Sequence, residues 1–424
     1  MQNRTEFTKA MKQDYTILIP NMLPVHLKLV KSVFELHGYH MVLLTNDGPG
    51  VVEAGLKYVH NDTCYPALLV IGQFIDALQS GKYDVHKTAL IITQTGGGCR
   101  ASNYIHLLRK ALDKAGLGFV PVISLNPAGL EKNSGFKLTP TMLLQAVCMI
   151  LYADVLMCLK NQVEPYEERK GECEEHMERW TKELTRQFRK RPKAAALNFK
   201  KNLMRIARDF DGISVNLTDK IKVGIVGEIY VKYSDTANNH LEKFLLEQGC
   251  EVNVPGLMGF LANMLDHYID DISLYGGNRF VQALFKLAMK YLGHLEKTIA
   301  RAIRRNSRMN PPTPYRQTRK CLDGILGYGC KMGEGWLLTA EMIELIESGV
   351  PNIVCVQPFG CLPNHIAGKG TIRALREKFP AANIVPIDYD PGATRVNQEN
   401  RLKLMLSVAR ETRAASPSDA AAQA

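Results

Sequence analysis

Short apolar, β-branched runs alternate along the chain with stretches in which apolar residues recur every three or four positions. That alternation predicts parallel sheets joined by crossover helices. In the first half, strands are expected at Thr16–Pro20, Met41–Thr45, Ala89–Thr93 and Val120–Leu125. A helix is expected over Asn103–Ala115, where Ile105, Leu108 and Leu112 share a face and Gly116 supplies a stop. After Asn161 the pattern changes: Glu164 to Arg208 is dense in charge and predicts amphipathic helices. Strand-like runs resume at Lys222–Gly227, Glu251–Val254, Ile353–Val356 and Ile384–Ile387. Between them lie a helical insertion, roughly Leu257 to Arg304, and a Pro-rich loop, Asn310–Tyr315.

The expected fold is therefore α/β: two Rossmann-like (flavodoxin-like) parallel-sheet units with a helical linker, a helical insertion and a cleft between the units. The boundaries implied are 1–163 for the first α/β domain, 164–215 for the linker, 216–411 for the second domain and 412–424 for a disordered tail. One stretch, Thr141 to Leu159, is apolar enough to resemble a membrane span, but Gln145 and Asp154 interrupt it. A carboxylate at bilayer depth costs roughly 3 kcal/mol, so a buried core helix is the expectation and no membrane partner is foreseen.

Composition changes this picture little. The chain is 46% hydrophobic and 22% charged, which argues against general disorder. The formal charge of +11 concentrates in Arg186–Arg208 and Arg301–Lys320. Solvated faces are the plain reading of those runs, and docking of an acidic partner or phosphorylated cofactor is the functional one. No aromatic platform or recognised motif accompanies them, so a nucleic-acid partner is not expected. The N-terminal residues lack the apolar core of a secretory signal, which points to a cytoplasmic location.

The ten cysteines are scattered, with no CxxC pair, and in a reducing compartment they are core residues, nucleophiles or metal ligands. Cys148 and Cys158 belong to the apolar stretch, Cys355 lies mid-strand, and Cys250 directly precedes a strand; all four read as core. Cys173 sits among carboxylates that would raise its pKa. Cys321 and Cys330 are expected in loops and stay undecided. Cys64, Cys99 and Cys361 differ from these: each stands where a strand end, or its equivalent, hands over to a helix start. Ligands bind at that edge of open α/β sheets, and helix N-termini favour thiolate. Three loops each delivering one sulfur to a crevice suit an iron–sulfur cluster. Gly96, Gly97 and Gly98, just before Cys99, would let backbone amides approach a bulky cofactor. Neither a dinucleotide fingerprint nor a P-loop is present, since Gly370 occupies the position after Lys369 where the P-loop needs a hydroxyl residue.

The stretches HNDTCYPALLVIGQFIDALQSGKYD, QTGGGCRASNYIHLLRKAL, VGEIYVKYSD, GEGWLLTAEM and QPFGCLPNH resemble the 2-hydroxyacyl-CoA dehydratase superfamily. The closer likeness is to the C-terminal part of acyl-CoA dehydratase activase-related proteins, and it runs from about Tyr15 to Ala409. It implies a 4Fe-4S cluster on Cys64, Cys99 and Cys361, or a double-cubane cluster for which Cys321 or Cys330 would add sulfur. It also implies a separate ATP-hydrolysing activase as electron donor, an acyl-CoA as substrate, and a homodimer or heterodimer. A cluster with three protein ligands keeps one iron open, and potentials as low as about −700 mV suit reduction of a thioester carbonyl. For acid–base work the candidates are Glu228 and Tyr230, just past KVGIVG, and His365, four residues after Cys361. The plainer readings are a structural hydrogen-bond acceptor for Glu228 and a helix-capping or surface histidine for His365. Besides a dehydratase or reductase component, a non-catalytic iron–sulfur electron carrier or scaffold and a zinc or cysteine-nucleophile protein are the alternatives.

Overall fold

A computed structural model of the chain describes residues 4–60, 62–95, 97–126, 131–191, 198–322 and 324–414. Among them, eight strands form two four-stranded sheets, parallel throughout. The chain divides into two compact units, Met1–Ala153 with Glu178–Phe199, and Asp154–Met177 with Lys200–Ala424. The expected α/β class with two Rossmann-like sheets is what the fold shows.

In the first unit, β1 (Thr16–Ile19), β2 (His40–Leu43), β3 (Thr88–Thr93) and β4 (Val122–Leu125) lie in the order β2-β1-β3-β4. Leu18 pairs with Val42 on one side and Leu90 on the other, and Ile91 pairs with Ile123. Strand β3 is buried from Thr88 to Ile92, which is why its sequence is a continuous apolar run rather than an alternation. Helix α1 (Pro24–Leu36) joins β1 to β2. Two helices, α2 (Pro49–Tyr58) and α3 (Tyr65–Gln79), connect β2 to β3, and α4 (Tyr104–Lys114) connects β3 to β4. Helix α4 matches the expected period, with Ile105, Leu108, Ala111 and Leu112 buried.

Helix α5 (Pro140–Val163) is the one helix among the described residues long and apolar enough to cross a bilayer. It is a core helix: Met149, Tyr152, Val155, Leu156 and Leu159 are fully buried in the protein. Its two polar interruptions have structural duties. Gln145 Oε1 lies 3.0 Å from His37 Nε2. The Asp154 carboxylate accepts the N–H groups of Leu257 (2.8 Å) and Met258 (2.9 Å), so it caps a helix elsewhere in the second unit. The charged stretch that follows forms α6 (Glu172–Lys190) and α7 (Phe199–Asp211); residues 192–197 of the first basic run lie outside the described residues.

The second unit repeats the strand order. β5 (Lys222–Gly227), β6 (Glu251–Asn253), β7 (Asn352–Pro358) and β8 (Asn383–Tyr389) are arranged β6-β5-β7-β8. An order of 2-1-3-4 is that of flavodoxin-like sheets, with the binding edge at the C-terminal ends of the strands. Helix α8 (Ile229–Tyr233) follows β5, and the insertion is a hairpin of α9 (Leu257–Tyr275) and α10 (Arg279–Asn306). Then come α11 (Tyr315–Cys321), α12 (Trp336–Glu347), α13 (Ile372–Lys378) and α14 (Arg395–Ala414). Cys321, expected in a loop, is instead the last residue of α11. The core sets Leu338, Met342 and Ile343 of α12 against Val226, Ile353, Cys355 and Ile384 of the sheet. Of the expected tail, 412–424, everything from 415 onward lies outside the described residues.

The approach of α2 to α3 is set by two glycines. A Cβ at Gly72 would stand 2.1 Å from the Val51 carbonyl oxygen, and one at Gly55 would stand 2.5 Å from that of Leu68. Alanine at position 72 would gain about 1 kcal/mol in helix propensity. It would also force two backbones apart, and overpacking of that kind costs about 1–3 kcal/mol. The backbone carbonyl has no rotamer by which to yield, so the clash prevails. Gly72→Ala should lower the urea-unfolding free energy by about 1–2 kcal/mol; a variant as stable as wild type would show that the helices are free to separate.

Candidate functional site

Cys64 is the N-cap residue of α3, with Pro66 inside the first turn, and its carbonyl accepts the N–H groups of Ala67 (3.0 Å) and Leu68 (3.3 Å). Its side chain makes no capping hydrogen bond. Cys64 is buried, and its Sγ lies 2.9 Å from the hydroxyl of Tyr104, the first residue of α4. The chain reaches Cys64 from α2, so its loop joins two helices and α2 stands where a strand precedes Cys99 and Cys361.

Cys99 does lie after a strand. It precedes a short 3-10 turn, Arg100–Asn103, that leads into α4. Ser102 Oγ is 2.6 Å from the carbonyl oxygens of both Gly97 and Cys99. Gln94 donates to the Ser102 carbonyl (3.2 Å) and accepts from the Ser124 hydroxyl (2.7 Å), which anchors the loop to β4. Gly97 and Gly98 are exposed, and a Cβ at Gly97 would meet nothing within 4 Å, so internal packing is not what requires glycine at 97. Gly96 lies outside the described residues. Two contacts bring the Cys64 and Cys99 loops together: Arg100 Nη1 donates to the Asp62 carbonyl (3.2 Å), and Tyr104 reaches Cys64.

In the second unit Cys361 is buried just beyond β7, the strand equivalent to β3. Its carbonyl accepts the His365 N–H at 3.1 Å and lies 2.8 Å from His365 Nδ1. A carbonyl only accepts, so Nδ1 is the donor in this contact. The loop is pinned by buried Asn364, which donates to the Val356 carbonyl (2.8 Å) and accepts from Gln357 Nε2 (2.8 Å). Residues Asn364–Gly368 then form a π-helical turn, a local widening often found at functional sites. Phe359, Leu362 and Ile366 beside Cys361 are exposed apolar side chains.

Glu228 and Tyr230 sit at the end of β5, which neighbours β7. Gly227 has φ +150°, and a Cβ there would be 2.3 Å from the Val356 carbonyl oxygen, so glycine is required for the turn that aims Glu228. Glu228 Oε2 accepts the Val231 N–H (2.9 Å), and Glu334 Oε1 accepts the Ile229 N–H (2.9 Å), so two carboxyls share the start of α8. Lys232 Nζ lies 3.2 Å from Glu341 Oε2, with both side chains buried. Burial, then the Glu334 carboxyl, pushes the Glu228 carboxyl up to about 8. Burial likewise raises Glu334 and Glu341, with Lys232 opposing it in both. Three buried carboxyls beside one ammonium hold a proton at neutral pH. Tyr230 is buried on the first turn of α8. The partners Glu334, Glu341 and Lys232 were missed as site residues. The available signal was Glu341 itself, a carboxylate inside the apolar run WLLTAEMIELI.

The remaining cysteines behave as poor thiolates. Burial pushes Cys148 up to about 11 and Cys158 and Cys321 up to about 12, with the Glu347 carboxylate adding to the effect at Cys321. Burial raises Cys250, Cys330 and Cys173 as well, with Glu164 and Glu167 reinforcing it at Cys173. Cys355 is pushed up to about 11 in the middle of β7.

The first unit carries Cys64 and Cys99 on adjoining loops, and the second carries Cys361 on the equivalent edge of its own sheet. Among the described residues, no group of three or more His, Cys, Asp or Glu side chains is gathered so as to hold a metal ion. No protein-family model and no curated protein matches the chain.

Glu228 has a folded-state pKa raised from 4.5 to about 8. Its contribution to stability is complete below the unfolded pKa and is lost as pH rises through the folded one. Wild type should therefore lose stability relative to Glu228→Gln by a few kcal/mol between about pH 5 and pH 8. Urea melts across that range measure it, and parallel profiles would show that Glu228 ionises as an ordinary carboxyl.

Proposed function

We propose that this protein is the iron–sulfur component of a 2-hydroxyacyl-CoA dehydratase-like, or ATP-dependent low-potential reductase, system. Cys64, Cys99 and Cys361 supply the thiolates, and a separate ATP-hydrolysing activase is the electron source. The observation that carries this reading is the placement of Cys99 and Cys361. They occupy the same topological position, the loop after the third strand, in two sheets of identical order. Cys64 adjoins the first of these loops through Tyr104 and Arg100. The resemblance of the cysteine-bearing stretches to that superfamily supports the same ligands.

A cluster held by Cys64, Cys99 and Cys361 would supply one-electron chemistry at low potential. The chain's own residues supply the rest. Gly97 and Gly98 keep the approach to Cys99 clear of side chains. His365, its Nδ1 proton engaged by the Cys361 carbonyl, presents Nε2 as a base. The Glu228–Glu334 pair carries a proton at neutral pH, available to a departing hydroxyl. Overall, dehydration is redox-neutral: the 2-hydroxyl leaves with one proton as water, a C3 proton is released, and the electron is recovered. The reducing interior of a cell is the compartment this chemistry needs.

Anaerobic purification followed by iron and acid-labile sulfide analysis, with EPR after dithionite reduction, tests the reading. Cys64→Ser, Cys99→Ser and Cys361→Ser should each retain less than about half of the wild-type iron per folded chain, since each removes one of three protein ligands. Cys148→Ser and Cys355→Ser should keep it while losing stability. An iron-free wild-type protein after anoxic reconstitution, or equal iron in all five variants, would overturn the assignment.

A further inference from the structure

Helix α10 is apolar on two opposite sides over its first half. The inner side faces α9: Met289 and Leu292 are buried, and Phe285 stacks on Tyr268 with ring centroids 4.9 Å apart. The outer side carries Phe280, Ala283, Leu284, Leu287, Ala288 and Tyr291, all exposed. Phe280 is 78% exposed, Leu287 63% and Leu284 58%. At 100° per residue these six fall within about 140° of arc, the width of a core-facing stripe. No neighbour within the second unit covers them.

The order of the stripe indicates what covers it. Read from either end it is aromatic, Ala, Leu, Leu, Ala, aromatic. A two-fold axis crossing α10 between Leu284 and Leu287 sets Leu284 of one copy opposite Leu287 of the other. The same axis pairs Ala283 with Ala288 and Phe280 with Tyr291. Each contact then occurs twice, as a self-complementary two-fold interface requires. The alanines allow the helices to approach, and the 4-3-4 spacing of the large residues is that of a coiled-coil seam. Lys290 falls opposite Val281 rather than another lysine, so like charges do not meet. Four large side chains and two alanines at these exposures offer on the order of 500 Å² per copy. Pairing two copies then removes about 1,000 Å², the lower bound for a specific interface.

We infer that the chain forms an antiparallel two-fold dimer through α10, with a second copy of the same chain as the occupant of this stripe. The inference is independent of the metal chemistry proposed above, because it concerns only a helix face that carries none of Cys64, Cys99 and Cys361.

Sedimentation equilibrium of the full chain at roughly 100 μM, where a Kd of about 10 μM leaves most chains paired, should give the mass of two chains. Leu284→Glu should give the mass of one, with the wild-type circular dichroism spectrum, because the side chain is exposed in the single copy. Phe280→Lys and Tyr291→Glu should each weaken pairing about tenfold or more, since each buries an uncompensated charge. Combined in one chain they should restore it, because the antiparallel register places the new charges against each other twice. A wild-type monomer at this concentration, an L284E variant of unchanged mass, or a double variant no better than the singles would overturn the inference. Sedimentation of a monomeric wild type with anionic vesicles would assign the stripe to a membrane surface instead.

Discussion

A strand in a parallel sheet cannot turn back on its neighbour, so each must hand the chain to a crossover that covers a face of the sheet. The rest of the structure follows from that requirement. Both sheets are covered on both faces, so their central strands are apolar runs. The polar chemistry is forced to the edge where strands end and helices begin. In each unit the strand beside β1 or β5 opens into a cysteine loop at that edge. In the second unit, neighbouring β5 opens into a cluster of carboxyls. Helix starts present N–H groups there with no backbone acceptor, and Glu228 and Glu334 are drawn into the protein by two of them.

What was legible in the sequence follows the same division. Strands β3, β5 and β7 were visible because burial on both faces leaves an unbroken apolar run, and α4 because one face only is buried. Helix α11 was missed because it is one short segment behind the prolines of NPPTPY, too brief for a period to register. The cysteine loops were visible as punctuation between elements. The carboxyl cluster was not, because Glu228 and Lys232 stand more than a hundred residues before Glu334 and Glu341, and only the tertiary fold brings the two stretches together.

Charged and polar residues inside apolar helices were the most informative letters. In the sequence Asp154 and Gln145 argue against a membrane span; in the structure Asp154 caps α9 and Gln145 meets His37. Glu341 stands in α12 for a comparable reason, holding Lys232 in a place where an ammonium alone would cost several kcal/mol. Glu228 and Glu334 lie near the same ammonium, and burial, reinforced at Glu228 by the Glu334 carboxyl, outweighs its influence and raises both.

Cys64 shows how the fold supplies what strand order cannot. A loop between two helices has no fixed relation to the sheet edge, so its position depends on how closely α3 can lie against α2. The paired glycines at 55 and 72 permit an approach at which any side chain would meet a carbonyl. That approach sets the line of α3, whose first residues follow Cys64 directly. Tyr104 then spans from the start of α4 to the sulfur, and Arg100 ties the backbone at Asp62 to the Cys99 loop. Two glycines with no chemistry of their own therefore help set where the Cys64 loop meets the Cys99 loop. A change that separates α2 from α3 should be felt at Cys64 before it is felt at Cys99, whose loop is held independently by Ser102, Gln94 and Ser124.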